Sequence, residues 1–133
     1  MPMITGEFDV KMNPEALSAV AADSGVGRMS LDKRYHGALD ASGKGEMLGY
    51  MDGALGSGAY VALERVEGSL EGRSGSFLLH HTGVMTRGAP SLAVVVVPDS
   101  GRDGLAGLSG MLDIRIEGGK HYYDFDYALA AVA

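Results

Sequence analysis

The run MLDIRIEGGKHYYDFDYAL, residues 111–129, constrains the fold more than any other stretch. Two alternating segments mirror each other about Gly118-Gly119, and alternation is the period of a strand with one buried face. A Gly-Gly linker suits a two-residue hairpin, because both central positions of the favoured turn need φ > 0. That turn pairs Ile116 with His121, Ile114 with Tyr123 and Leu112 with Phe125, so the apolar residues share one side. His121, Tyr123, Phe125 and Tyr127 are expected to face inward, and Lys120, Asp124 and Asp126 outward.

The same period recurs through the chain. EFDVKMN sets Phe8, Val10 and Met12 against Glu7, Asp9 and Lys11, with Pro14 as its expected end. RMSLDKRYHGA, GEMLGYM, AYVALERV, a long segment from Leu70 to about Met85, and SLAVVVV follow, which with the last hairpin predicts eight strands. PEALSAVAADSG alone has helix-forming composition, but it is short and lacks a 3.6 period, so a loop is expected. No linker or solenoid repeat interrupts residues 1–133, which read as one domain. The expected architecture is all-β, an eight-stranded antiparallel barrel, because closure removes exposed strand edges.

Composition narrows the function. The 21 glycines fit a turn-rich β chain. A formal net charge of −6 argues against a nucleic-acid partner, which a basic face would attract. Cysteine is absent, which removes disulfides, thiol nucleophiles and Cys-based metal sites. No apolar run approaches the roughly 20 residues of a membrane helix, and MPMITGEFDV lacks the basic and apolar regions of a signal peptide. A soluble, cytoplasmic chain with no membrane partner is expected.

The candidate site comes from the central hairpin. A turn at Gly68-Ser69 would place Glu64 opposite Arg73 and Tyr60 opposite Phe77. Phe77 and Leu79 define the inner face, so Glu64, Arg73 and His81 share it. An inward guanidinium needs a partner, and Glu64 would be that partner. The expected lumen is lined by Tyr60, Glu64, Arg73, Phe77, His81, His121, Tyr123 and Tyr127, and is open at one end. Gly75 and Gly83 share the inner parity and would leave room. Glu46 fits either face. The pair can be read as a structural ion pair, as an orienting pair for a ligand, or as a general base beside its modulator.

Phosphate-loop and nucleophile-elbow patterns are missing: ASGKGE, GSGAYV, GRSGS and GLSGM all depart from them. The inward histidines, glutamate and tyrosines form no metal-ligand pattern, so neither metal nor cofactor is expected. On the outer face, RGAP would pair Met85 with Leu92 and turn Val84, Ala93, Val95 and Val97 outward. A strand apolar on both faces is covered on both, which predicts a homo-oligomer, most simply a dimer, through those four residues.

The stretches GEML, AYVALERVEGSLEGRSGSF, HHTGVMTRGAPS, VVPDSG and LAGLSG resemble an uncharacterised bacterial family, a domain of unknown function with the allene-oxide-cyclase-like barrel. The likeness runs from about Gly6 to Leu129, departing at the irregular PEALSAVAADSG and at His80, where glutamine would be expected. It implies an eight-stranded barrel and an oligomer, but no substrate. Allene oxide cyclase isomerises an oxidised fatty acid inside such a barrel, and spirotetronate cyclases fold a polyketide chain in one. None of their catalytic residues maps onto this chain. Three functions follow. The lumen could hold a small, mostly apolar ligand. It could be an isomerase or cyclase with Glu64, His81 or Tyr123 handling a proton or oxyanion. Or a filled barrel could serve as an assembly module.

Overall fold

A computed structural model describes residues 3–130 of the chain. The strands are β1 (Met3–Glu15), β2 (Gly27–Tyr35), β3 (Leu39–Asp52), β4 (Ser57–Leu70), β5 (Arg73–Thr86), β6 (Ala89–Val96), the two-residue β7 (Arg102–Asp103), β8 (Leu108–Glu117) and β9 (Lys120–Leu129). All pairings are antiparallel. β1 to β6 form a meander, β6 joins β8, and β9 closes on β1, giving a closed eight-stranded barrel. The short β7 pairs with the far end of β5, Gly75 opposite Asp103. The segment between β1 and β2 is a loop with turns, as expected. The described residues contain no helix long and apolar enough to cross a membrane.

Three hairpins use two-residue turns with both residues at φ > 0. Gly118-Gly119 is one of them, with Ile114 opposite Tyr123 and Leu112 opposite Phe125 as the sequence predicts. The other two correct the expected register. The β4–β5 turn is Glu71-Gly72, not Gly68-Ser69, so Glu64 lies opposite Leu79 and Val66 opposite Phe77. Gly68 lies within the ladder near the end of β4, where a Cβ would stand 2.3 Å from the Asp40 carbonyl of β3. Its glycine serves strand approach rather than a turn. The β5–β6 turn is Arg87-Gly88, which pairs Gly83 with Leu92. Both shifts are even-numbered, so the inward and outward assignments survive even though the partners change. Pro14 does not end β1 but pairs with Met29 inside the ladder.

The barrel has two unlike halves. At the end holding the Glu71-Gly72 turn and the Val97–Gly107 loop, aromatic rings and leucines fill the interior. Phe77 stacks on Phe125 with centroids 5.8 Å apart, and Tyr127 lies 5.4 Å beyond Phe125. Leu105 plugs that end at 1% exposure, and the Ser100 hydroxyl accepts the Leu78 amide at 3.0 Å. Toward the other end, where β2 and β4 begin, the inward positions turn to methionine and glycine.

Candidate ligand pocket above a buried ion cluster

The middle layer of the barrel is charged. Glu64 of β4 is fully buried, and its carboxylate accepts three bonds: from the Lys33 ammonium at 3.0 Å, the Tyr35 hydroxyl at 2.5 Å and His81 Nε2 at 2.8 Å. Lys33 is 6% exposed and His81 is 3% exposed, so this ion cluster has left water. The Lys33 ammonium also stands 5.2 Å from the Phe8 ring and 5.8 Å from Tyr35, within reach of cation–π attraction. Gly43 makes room for the carboxylate, since a Cβ there would lie 2.1 Å from Oε2.

Burial works against ionising Glu64. The His81 bond, the Lys33 charge and the Tyr35 bond together outweigh it and hold its pKa below the usual carboxylate value. The Tyr35 phenol moves the other way, pushed up by burial and then by the Glu64 charge, so it stays a donor.

The inward partners of Glu64 are therefore His81 and Lys33 of β2, not Arg73. Arg73 is exposed at the hairpin end, paired with Leu70, and takes no part in the lumen. Lys33 was legible in part. In RMSLDKRY the set Met29, Leu31, Lys33, Tyr35 contains three apolar residues, whereas Arg28, Ser30, Asp32 and Arg34 are all polar.

Above this layer lies an open pocket of 630 Å³ in the methionine-rich half. Met29, Met47, Met51, Met85 and Leu92 supply its side walls, and Tyr60 stands at its floor next to His81, ring centroids 6.4 Å apart. None of its lining residues is charged. The register explains the grouping: Met29 faces Met47 across β2 and β3, while Met51 and Met85 flank Gly58. Tyr60 is half-buried, and its hydroxyl makes no hydrogen bond among the described residues. No fully buried side-chain polar atom there lacks a partner, so the Tyr60 hydroxyl reaches the open space. Burial, then the Glu64 charge, raises its pKa and keeps it protonated.

Of the other expected lumen residues, Phe77 is packed in the filled half with no exposed surface. Tyr123 is a buried strut: its hydroxyl donates to the His36 carbonyl at 2.8 Å and accepts the Leu39 amide at 3.2 Å. Tyr127 bonds Glu71, and His121 packs against Phe8 with ring centroids 5.2 Å apart. Tyr60, Glu64 and His81 are thus brought together, and Arg73, Phe77, His121, Tyr123 and Tyr127 lie elsewhere. The inner glycines are not vacancies either. The gap at Gly83 holds the Tyr60 ring, 2.3 Å from where a Cβ would be, and that at Gly75 holds the Arg102 carbonyl. Glu46 points outward and pairs with Arg28. Among the described residues, no three His, Cys, Asp or Glu side chains gather as a metal-ligand set.

Outside the wall, a larger hollow of 1090 Å³ lies against the β1–β2 loop, with Leu48, Val61, Leu63 and His80 on its lining. It belongs to an apolar outer face on which Leu48 adjoins Val61, and Leu63 adjoins His80, Val95 and Met111 in register. Val84 is 44% exposed there, and Ala93, Val95 and Val97 are half-buried.

Fold and site together define a small closed β-barrel, filled at one end and pocketed at the other. The family model described as a protein of unknown function, DUF3224, matches residues 4–127, and the chain belongs to that family. It is similar over 99% of both chains to a crystal structure of a DUF3224 protein of unknown function from Shewanella oneidensis MR-1, at 47% identity and a TM-score of 0.91. No curated protein matches the chain.

Proposed function

We propose that this barrel binds a small, mostly apolar ligand in its open half. The observation that carries the reading is the uncharged, methionine-walled pocket with the half-buried Tyr60 hydroxyl at its floor. Its 630 Å³ falls within the range of small-molecule sites, and unbranched thioether chains adapt to the shape of an apolar guest. The filled-barrel alternative lacks support in this half. An isomerase or cyclase role finds less support than binding, because Glu64 and His81 are bonded to each other and Tyr123 is a strut remote from the pocket.

The test uses the neutral dye N-phenyl-1-naphthylamine, whose fluorescence rises on leaving water. Wild type is expected to bind it saturably. Met85→Trp, which fills the mouth, is expected to weaken binding by about tenfold or more at unchanged circular dichroism. Equal binding by the two proteins contradicts the reading.

A second copy of the chain is the proposed cover for the outer apolar face, where Val61 is 53% and Leu63 56% exposed. Light scattering is expected to give a dimer for wild type and a monomer for Leu63→Glu. A monomeric wild type at micromolar concentration would leave that face without a role.

A further inference from the structure

We infer that the pocket selects an uncharged ligand whose polar end accepts a hydrogen bond from the Tyr60 hydroxyl, a ketone-type carbonyl rather than a carboxylate. The inference rests on the pocket reading above and names its ligand class.

A carboxylate in an apolar site needs a cation or several donors, because its desolvation is otherwise unpaid. The pocket offers no cation, and its Tyr50 and Ser91 hydroxyls are exposed to water. No Lys, Arg or His lines it. The cation nearest in the layers below, Lys33, is 6% exposed and already bonded to Glu64 at 3.0 Å. The fixed charge beneath the floor is therefore Glu64 matched by Lys33, with His81 closing the third bond. A second carboxylate would meet the Glu64 charge with no cation left to answer it. The whole chain is acidic as well, at −6, which repels anions from a distance.

The half-buried polar group that a guest would meet is the Tyr60 hydroxyl, since Tyr50 and Ser91, the other hydroxyl residues of the lining, are exposed. Gly83 and Gly49 set it in place: a Cβ at Gly83 would lie 2.3 Å from the Tyr60 ring, and one at Gly49 would stand 3.2 Å from its Cβ. The ring is thus seated in a slot that two neighbouring strands leave empty. With its proton retained, the phenol donates, and a carbonyl oxygen is the acceptor that an apolar pocket admits at the least desolvation cost. The methionine walls take the remaining hydrocarbon.

The experiment compares 2-nonanone with nonanoate by isothermal titration calorimetry at pH 8, where the acid is ionised. Wild type and Tyr60→Phe are both used, with N-phenyl-1-naphthylamine as the apolar control. The ketone is expected to bind at least about tenfold tighter than the carboxylate, as one unpaired charge in an apolar site requires. Tyr60→Phe is expected to weaken the ketone about five- to tenfold, the worth of one hydrogen bond, while dye affinity stays within about twofold. Nonanoate binding as tightly as nonanone overturns the inference, as does a ketone affinity untouched by Tyr60→Phe, and in both cases dye binding leaves the pocket reading standing. Absence of dye binding to wild type removes the pocket reading and this inference with it.

Discussion

Glu64→Leu is expected to destabilise the protein by about 3–5 kcal/mol, the cost of breaking a buried ion pair from one side. Leucine fills the space but accepts no bond. Lys33 would keep its charge among aromatic faces, and His81 and Tyr35 would each lose an acceptor. The midpoint of thermal unfolding should fall by about 10 °C or more for a domain of this size. Glu64→Gln keeps one acceptor for Tyr35 and should cost less. Lys33→Met combined with Glu64→Gln removes both charges and should recover most of the loss, since an apolar replacement of a whole buried pair is often neutral. A loss below about 1 kcal/mol for Glu64→Leu would mean that the cluster is wet and does not organise the barrel.

The same carboxylate sets an acid limit. Its folded-state pKa lies below the unfolded value of about 4.3, so the unfolded chain binds the proton first as pH falls. The stabilisation is complete above the unfolded value and disappears as pH drops through the folded one. Urea midpoints should therefore fall below about pH 4 in wild type and change less steeply in the double variant.

Gly45→Ala is expected to be among the most damaging single-methyl additions. A Cβ at Gly45 would stand 2.0 Å from the Leu63 carbonyl oxygen and 2.7 Å from the Glu64 Cα. Both are backbone atoms of the paired strand, so no side-chain rotation relieves the clash and β3 must move away from β4. Overpacking of this kind costs about 3 kcal/mol, and here it also shifts Glu64 against its partners. Gly53→Ala is the matched control: nothing lies within 4 Å of its Cβ and its φ is not in the positive region, so stability should hold or rise. Equal stability of the two variants would contradict the close approach of β3 and β4.

These particulars show what the sequence carried and what it did not. Period-two alternation gave the strands and their faces, because a buried face is written in every second residue. Turn positions were weaker. Gly-Ser at 68–69 looks like a hairpin, but the chain places Glu71 and Arg87 at φ > 0 instead and uses Gly68 where β3 approaches. Local turn preference there yields to the register that buries Val66 against Phe77 and Leu70 at the filled end. That six-residue shift in the pairing sum accounts for the expected Arg73–Glu64 pair, whereas Lys33 lies on β2, whose inner face no turn in the sequence fixes. The pocket was hidden for a related reason. Its methionines come from β2, β3 and β5, and only the pairing registers bring Met29 to Met47, and Met51 to Met85, across Gly58. The glycines misled in the same way: on an inner face they marked seats for large partners, Tyr60 above all, and not empty volume.

If the methionine-walled half of the barrel takes an apolar guest, its methyl groups must sense that guest. Methyl NMR of protein carrying ¹³C-methyl methionine, titrated with 2-nonanone, tests it most directly. Saturable shifts are expected at the Met29, Met47, Met51 and Met85 methyls, with Met111, exposed on the outer wall, left in place. Shifts confined to Met111, or none at the four pocket methyls, would contradict it.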